Sequence, residues 1–301
     1  MKPEAVKILQ KNIAFLTLNS HPEYQYIPQH DKPLPSLVKL QEVVELFRAI
    51  VFPGYFGNAI GANAVEFHLG LNIERLYNLL KEQIYNGLCF NTINPKNEDS
   101  KENASELTLR LINRIPELKR ILSTDIKATF DGDPAVQSYG EVIFCYPTIR
   151  AVLNYRFAHE LLKLGVPVIP RVITELAHSE TGIDIHPGAK IGEYFSIDHG
   201  TGVVIGQTTI IGDHVRLYQG VTLGAKRFSL EVEKNPLNVH RHPILKDNVV
   251  VYANANILGR ITIGKDSIIG GNVWLTNSVP PGSRILQQKA IVSSFYDGLG
   301  I

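Results

Sequence analysis

IDIHPGAKIGEYFSIDHGTGVVIG, Ile183 to Gly206, sets aliphatic residues at a fixed interval and puts Asp184, His186, Asp198 and His199 between them. The interval is six. Ile185, Ile191, Ile197, Val203, Thr209, Val215 and Val221 follow it, and all but Thr209 are aliphatic. It returns without exception at Leu245, Val251, Ile257, Ile263, Ile269 and Leu275. A helix alternates threes and fours and an ordinary strand twos, so neither chance nor a plain sandwich accounts for the run. A sextet repeat predicts a parallel β-helix, whose short strands stack at ~4.8 Å per coil and turn one aliphatic inward at each step.

Upstream the period changes. Leu34 to Phe52 carries Leu37, Leu40, Val43, Val44 and Phe47 at helical spacing and is stopped by Pro53 and Gly54. Val65 to Leu88 predicts a second helix with Gly87 near its end. The polar run NPKNEDSKENASE, Asn94 to Glu106, offers little to bury and predicts a solvated linker or loop. Helices resume in LTLRLINRIPELKRILSTDIKATF and in YPTIRAVLNYRFAHELLKLG, where Gly165 and Pro167 supply the stop. The expected fold class is therefore α+β, with a helical N-terminal domain over residues 1–178, a β-helix over 179–283 and a C-terminal tail over 284–301.

Composition bounds the rest. The 301 residues are 44 % apolar with a formal net charge of +1 and no block of Lys or Arg, which predicts neither a nucleic-acid nor a membrane partner. Two cysteines, Cys89 and Cys145, make no disulfide framework, and both read as packing residues. The start MKPEAVKILQ lacks the apolar run of a signal peptide, and no stretch reaches membrane-spanning length, so the expected compartment is the cytoplasm.

Gly224 to Pro243, GAKRFSLEVEKNPLNVHRHP, breaks the repeat and reads as a loop thrown out of one coil, the kind of insertion that gathers on a binding face. Three sextets per coil would put Thr181 beneath His199, with Asp184 three positions further along, close enough to meet His199 across a corner. A carboxylate that accepts from one imidazole nitrogen leaves the other free as a general base. One base, one guanidinium at Arg241 and spare carboxylates suit a small amino acid: Arg241 for its carboxylate, an Asp for its ammonium, the base for its hydroxyl. No Cys or Ser stands in a nucleophile motif, which favours direct transfer.

These residues resemble serine O-acetyltransferase. DIHPGAKIG, DHGTGVVIG, GVTLG, a loop ending in RHP, the ILG and IG repeats, GDPAV at Gly132 to Val136 and the final Ile all match, closely over residues 130–301 and more loosely before them. The resemblance implies a left-handed β-helix, a homotrimer or dimer of trimers with sites between subunits, and transfer of acetyl from acetyl-CoA to the L-serine hydroxyl. This is the first step toward cysteine. It implies inhibition by L-cysteine and no metal. Position by position it implies His199 as base and Asp184 as its orienting carboxylate, with Asp133 and Asp198 around the serine amino group. Arg241 and His242 fall in the serine pocket. Ala225 aligns with a residue whose N–H faces the thioester oxygen, and Ala253 and Gly271 line the CoA groove. Ile301 corresponds to the terminal residue that enters O-acetylserine sulfhydrylase.

The sequence departs from the family where GAKRFSLEVEKNPLNVH replaces a glycine-rich loop, where Gln207 replaces a common Glu, and where Ile268 replaces a Lys. Competing readings are a γ-type carbonic anhydrase drawing on His186, His199, His214 and His242, though its H-x4-H pair is absent, and a sugar O-acetyltransferase. A non-catalytic assembly scaffold is the third.

Overall fold

A computed structural model of the chain describes residues 1–17, 31–57, 60–90, 97–226 and 239–288. The helices are α1 (Pro3–Leu16), α2 (Leu37–Val51), α3 (Val65–Cys89), α4 (Asn97–Gly132), α5 (Tyr139–Cys145), α6 (Pro147–Lys163) and α7 (Ile169–Thr181). Ser36 caps α2 by accepting from the Lys39 N–H, and that helix buries Leu40, Val43, Val44, Phe47 and Ile50. α1 buries nothing. Two expectations change here. Residues 97–106 are not loop but the first turns of α4, where Lys101, Glu102 and Glu106 are exposed while Ala104 is buried. Cys89 is buried as expected, whereas Cys145 is exposed at the end of α5.

Beyond α7 the chain forms a parallel β-solenoid of about four turns. One sheet stacks β1 (Asp184–Ile185), β4 (Val204–Ile205), β7 (Thr222–Gly224), β10 (Asn256–Leu258) and β13 (Trp274–Leu275). The second stacks β2 (Lys190–Ile191), β5 (Ile210–Ile211), β8 (Ile244–Leu245) and β11 (Thr262–Ile263). The third stacks β3 (Ser196–Asp198), β6 (Arg216–Tyr218), β9 (Val250–Val251), β12 (Ile268–Ile269) and β14 (Arg284–Ile285). α7 runs past residue 178, and β14 continues the solenoid beyond residue 283.

The sextet repeat holds with one change of phase. Ile185, Ile191 and Ile197 are strand residues of the inner face, but the next is Ile205 rather than Val203. From there Ile211, Leu217 and Leu223 keep the interval. Val203, Thr209, Val215 and Val221 are buried too, two residues ahead of each strand position. Two additional residues are thus accommodated at the corner between Asp198 and Val204, where His199 lies.

The helices and the first coil share one core. Tyr155 on α6 donates to the Ala189 carbonyl at 2.7 Å. Arg156 donates to both oxygens of buried Asp125 on α4, at 3.0 and 3.1 Å, and to the Ile191 and Gly192 carbonyls at the end of β2. Asp125 also accepts the Phe195 N–H. Burial pushes the Asp125 carboxyl up to about 6 against the pull of Arg156. This pair fixes the end of α4 against the coil that carries His199.

Candidate active site

The corner from the third sheet to the first begins at Asp198 and runs His199-Gly200-Thr201-Gly202. His199, Gly200 and Gly202 have φ of 56°, 88° and 79°. Positive φ is common at corners of this solenoid, as at His214, Asn254 and Asn272, so it does not by itself mark His199 out. Gly200 has a further requirement: an added Cβ would overlap Ile183. The tight corner leaves the His199 side chain 71 % exposed, its Nδ1 3.7 Å from Asp198 Oδ1.

Against this corner comes the end of α4. Asp133, directly after it, accepts the Ala135 N–H through Oδ1 at 2.9 Å and the Tyr146 hydroxyl through Oδ2 at 2.6 Å. The Tyr146 hydrogen bond, then the Ala135 N–H, and then the charges of His199 and Arg216 hold the Asp133 carboxyl below its ordinary range. Tyr146 is pushed up to about 12, first by that bond, then by burial. Asp133, Tyr146, Asp198, Arg216 and Ser196 line one cleft. It joins two carboxylates, a guanidinium and a phenol.

The corner from the first sheet to the second is cationic. Arg241 Nη2 donates to Gln207 Oε1 at 2.9 Å, and the Arg241 and His242 N–H groups donate to Thr208 Oγ1. His242 is buried, and its Nδ1 accepts the Thr208 N–H at 3.1 Å, which puts the proton of the neutral ring on Nε2. Arg260 donates to the Thr208 and His242 carbonyls. His186 Nδ1 accepts the Gly188 N–H. Burial, reinforced by the surrounding guanidinium groups, lowers both His186 and His242 to about 4. Two neutral imidazoles beside Arg241 and Arg260 suit an anion.

The structure therefore sorts the expected residues. It brings Asp133, Asp198 and His199 together, and separately brings Arg241 to His242. Those two groups occupy different corners of one chain. Asp184 lies on β1 between them, and its nearest charged partner is Arg171 at 3.8 Å rather than His199. The expected arrangement assumed an uninterrupted repeat of three sextets, which would set Gly202 over Asp184; the two residues added at this corner put Val204 there instead. Ala253 and Gly271 stack further along the His199 corner, where the Asn272 N–H donates to the Ala253 carbonyl at 2.9 Å. Ala225 follows β7, while residues 227–238 of the inserted loop and Ile301 lie outside the described residues. Glu175, His178 and Asp184 bring possible metal-ligand atoms within 4.8 Å of one another, but Arg171 already faces both carboxylates. Tyr146, Arg216, Thr208 and Arg260 were not legible as site residues, because each acts through contacts between distant segments.

Residues 242–277 match the family description "Bacterial transferase hexapeptide (six repeats)". Fold and site together define a hexapeptide-repeat transferase. Over 277 residues the chain is 47 % identical to a plasmid-borne serine acetyltransferase of Synechococcus elongatus, covering 89 % of this chain and 86 % of that one. Serine acetyltransferase isoform 3 of Entamoeba histolytica, solved in complex with cysteine, superposes with a TM-score of 0.72 at 31 % identity, over 89 % of this chain and 86 % of that one. Soybean serine acetyltransferase complexed with serine gives 0.54 at 25 %, over 83 % and 97 %. The chain belongs to the serine acetyltransferase family, and its activity is that of a serine O-acetyltransferase with acetyl-CoA as co-substrate. The anhydrase and sugar-acetyltransferase readings give way to that membership. Three of the anhydrase histidines also do not converge in the chain: His214 stacks on Tyr194 at 4.3 Å, and His199 and His242 sit at different corners. Among the described residues no helix is long and apolar enough to cross a membrane.

Proposed function

We propose that His199 is the general base for acetyl transfer from acetyl-CoA to the hydroxyl of L-serine. Its Nδ1 is turned toward Asp198, which leaves Nε2 for the substrate. As the hydroxyl oxygen bonds to the thioester carbon, its proton passes to Nε2. Collapse of the tetrahedral intermediate breaks the C–S bond, and the proton returns to the departing thiolate. Asp184 is assigned to orient the ring in the substrate complex, since its 3.8 Å approach to Arg171 is looser than a hydrogen bond and does not hold it there. Asp133 and Asp198 take the serine ammonium, and Arg241 with His242 takes its carboxylate. Ala225 N–H faces the oxyanion. Ala253 and Gly271 line the pantetheine groove.

The observation that carries this reading is the separation of the two charge groups. A base with two carboxylates sits at one corner of the solenoid and a guanidinium with neutral imidazoles at another. A zwitterionic amino acid needs both. A second copy that sets its Arg241 corner beside this His199 corner completes the site, which supports a trimer or a pair of trimers. The relatives solved with cysteine and with serine support one pocket shared by substrate and inhibitor, hence feedback inhibition by L-cysteine in the cytoplasm. The terminal carboxylate of Ile301 suits capture by O-acetylserine sulfhydrylase. Deleting Ile301 should abolish that binding in a titration.

Thiol release from acetyl-CoA, measured with serine, threonine, homoserine and sugars, tests the substrate. Serine should be strongly preferred. Release that does not depend on serine would overturn the reading.

A further inference from the structure

We propose that Tyr146 and Arg216 are positioning residues that hold Asp133 as a fixed anion facing His199 and Asp198, and so set the affinity for the acceptor's ammonium group. The inference rests on the proposed role of Asp133 and adds the two residues that make that role possible. Asp133 does not lie on the solenoid. It sits in a Gly-Asp-Pro turn between α4 and α5, and such a turn left to itself would place the carboxylate loosely.

Three ties remove that freedom. Within the turn, Asp133 Oδ1 accepts the Ala135 N–H. From the start of α6, Tyr146 reaches Oδ2 at 2.6 Å, a length typical of a hydroxyl donating to an ionised carboxylate. From β6 on the solenoid, Arg216 Nη1 donates at 3.0 Å to the carbonyl of Gly132, the residue just ahead of Asp133. The guanidinium lies so close over Gly132 that a Cβ there would overlap it. Among the described residues Arg216 forms no ion pair, so its charge steadies the backbone of the turn without occupying either carboxylate. One tie comes from the helices and one from the coil that bears Tyr218 beside Asp198, so the turn is fixed relative to both.

The groups that face Asp133 are Tyr146, Arg216, His199 and Asp198, with Glu141 of α5 near the phenol. Tyr146 keeps its proton throughout the working range and remains a donor. Asp133 stays charged. An ammonium entering between Asp133 and Asp198 meets two anions already aimed at it, which cuts the ordering cost of binding.

The test is the serine KM of the full-length Tyr146→Phe enzyme, read by thiol release across pH. The proposal expects KM to rise about tenfold, the loss of one hydrogen bond to a charged group, with kcat changing less than about threefold. The acid limb of kcat/KM should move to higher pH, and the same substitution on an Asp133→Asn background should add nothing. Should Tyr146→Phe fail to fold, Arg216→Gln and Gly132→Ala, which displace the guanidinium, must raise KM in the same way, while Arg216→Lys restores part of it. If Asp133→Asn raises KM but neither Tyr146→Phe nor Arg216→Gln does, the positioning role is overturned and the Asp133 reading stands. If Asp133→Asn leaves KM unchanged, the reading beneath it falls.

Discussion

His199 Nδ1 stands 3.7 Å from Oδ1 of Asp198, its own chain neighbour, while Asp184 faces Arg171 across a similar gap. Two carboxylates thus compete for two jobs. Asp198 shares a cleft with Asp133 and Tyr146, and the proposed role of the two carboxylates is to hold the ammonium. Asp184 lines no part of that cleft, and the proposed role for it is to orient the ring.

The division of labour is testable by paired substitutions. Asp184→Asn should lower kcat on the order of 100-fold with little effect on serine KM, whereas Asp198→Asn should raise KM about tenfold. His199→Ala should lower kcat by about 100- to 10,000-fold. Steady-state kinetics with serine varied at saturating acetyl-CoA reads all three. A KM effect at Asp184 together with a kcat effect at Asp198 would exchange their roles.

A second expectation concerns the cationic corner. Gly206 follows β4 directly, ahead of the turn, and a methyl group there would overlap the buried ring of His242, which is pinned through Nδ1 to Thr208. The ring has no free direction. Gly206→Ala should therefore destabilise the fold by about 1–3 kcal/mol and raise serine KM through the shift of Arg241, which hangs from the same Thr208 hydroxyl. Denaturant unfolding and serine kinetics check the two halves. A stable variant with normal KM would show that the corner yields easily.

How much of this could be read in the sequence follows from its physics. The sextet period announces the solenoid, since a core one aliphatic wide per strand leaves that mark on any such chain. The phase was not legible. Val203 and Ile205, Val215 and Leu217, and Val221 and Leu223 are pairs two apart, both members buried, so either register satisfies the period. That ambiguity hides the two residues added at His199. Asp198-His199 and Arg241-His242 stand out because each pair is contiguous and polar in an apolar repeat. Arg216 does not, because its partner Gly132 is 84 residues away and only the packing of α4 on the coil joins them. The polar run before Leu107 misled for the opposite reason: charges on one side of a helix resemble charges in a loop when the buried side is supplied by small Ala104.

The Asp125–Arg156 pair carries a third prediction. Both side chains are buried, and the guanidinium also satisfies two carbonyls at the end of β2. Removing one member leaves the other charge without compensation. Arg156→Met should cost about 3–5 kcal/mol, and its loss should loosen α4 against the first coil. A fall in unfolding midpoint that accompanies a rise in serine KM would confirm the coupling to Asp133. Unchanged stability would mean that the pair is dispensable.

The last prediction is a pH dependence of stability. His186 and His242 are lowered from about 6.5 to about 4 in the folded chain, so the unfolded chain binds their protons more readily in that interval. The stability they contribute is complete above pH 6.5 and is lost as pH falls toward 4. Asp125, raised to about 6, works in the opposite sense over much of the same interval, because there the folded state holds the extra proton. Two histidines outweigh one carboxylate, so the net slope should be toward lower stability in acid. The separation comes from His186→Asn, whose Oδ1 can still accept the Gly188 N–H but has no proton to gain. The stability difference between parent and variant should change by roughly 1–2 kcal/mol between pH 6.5 and 4, allowing for solvent screening of a partly exposed ring. Urea unfolding of both proteins at half-unit pH steps measures it. A difference that stays constant across the interval would show that His186 is not held neutral by burial and the neighbouring guanidinium groups.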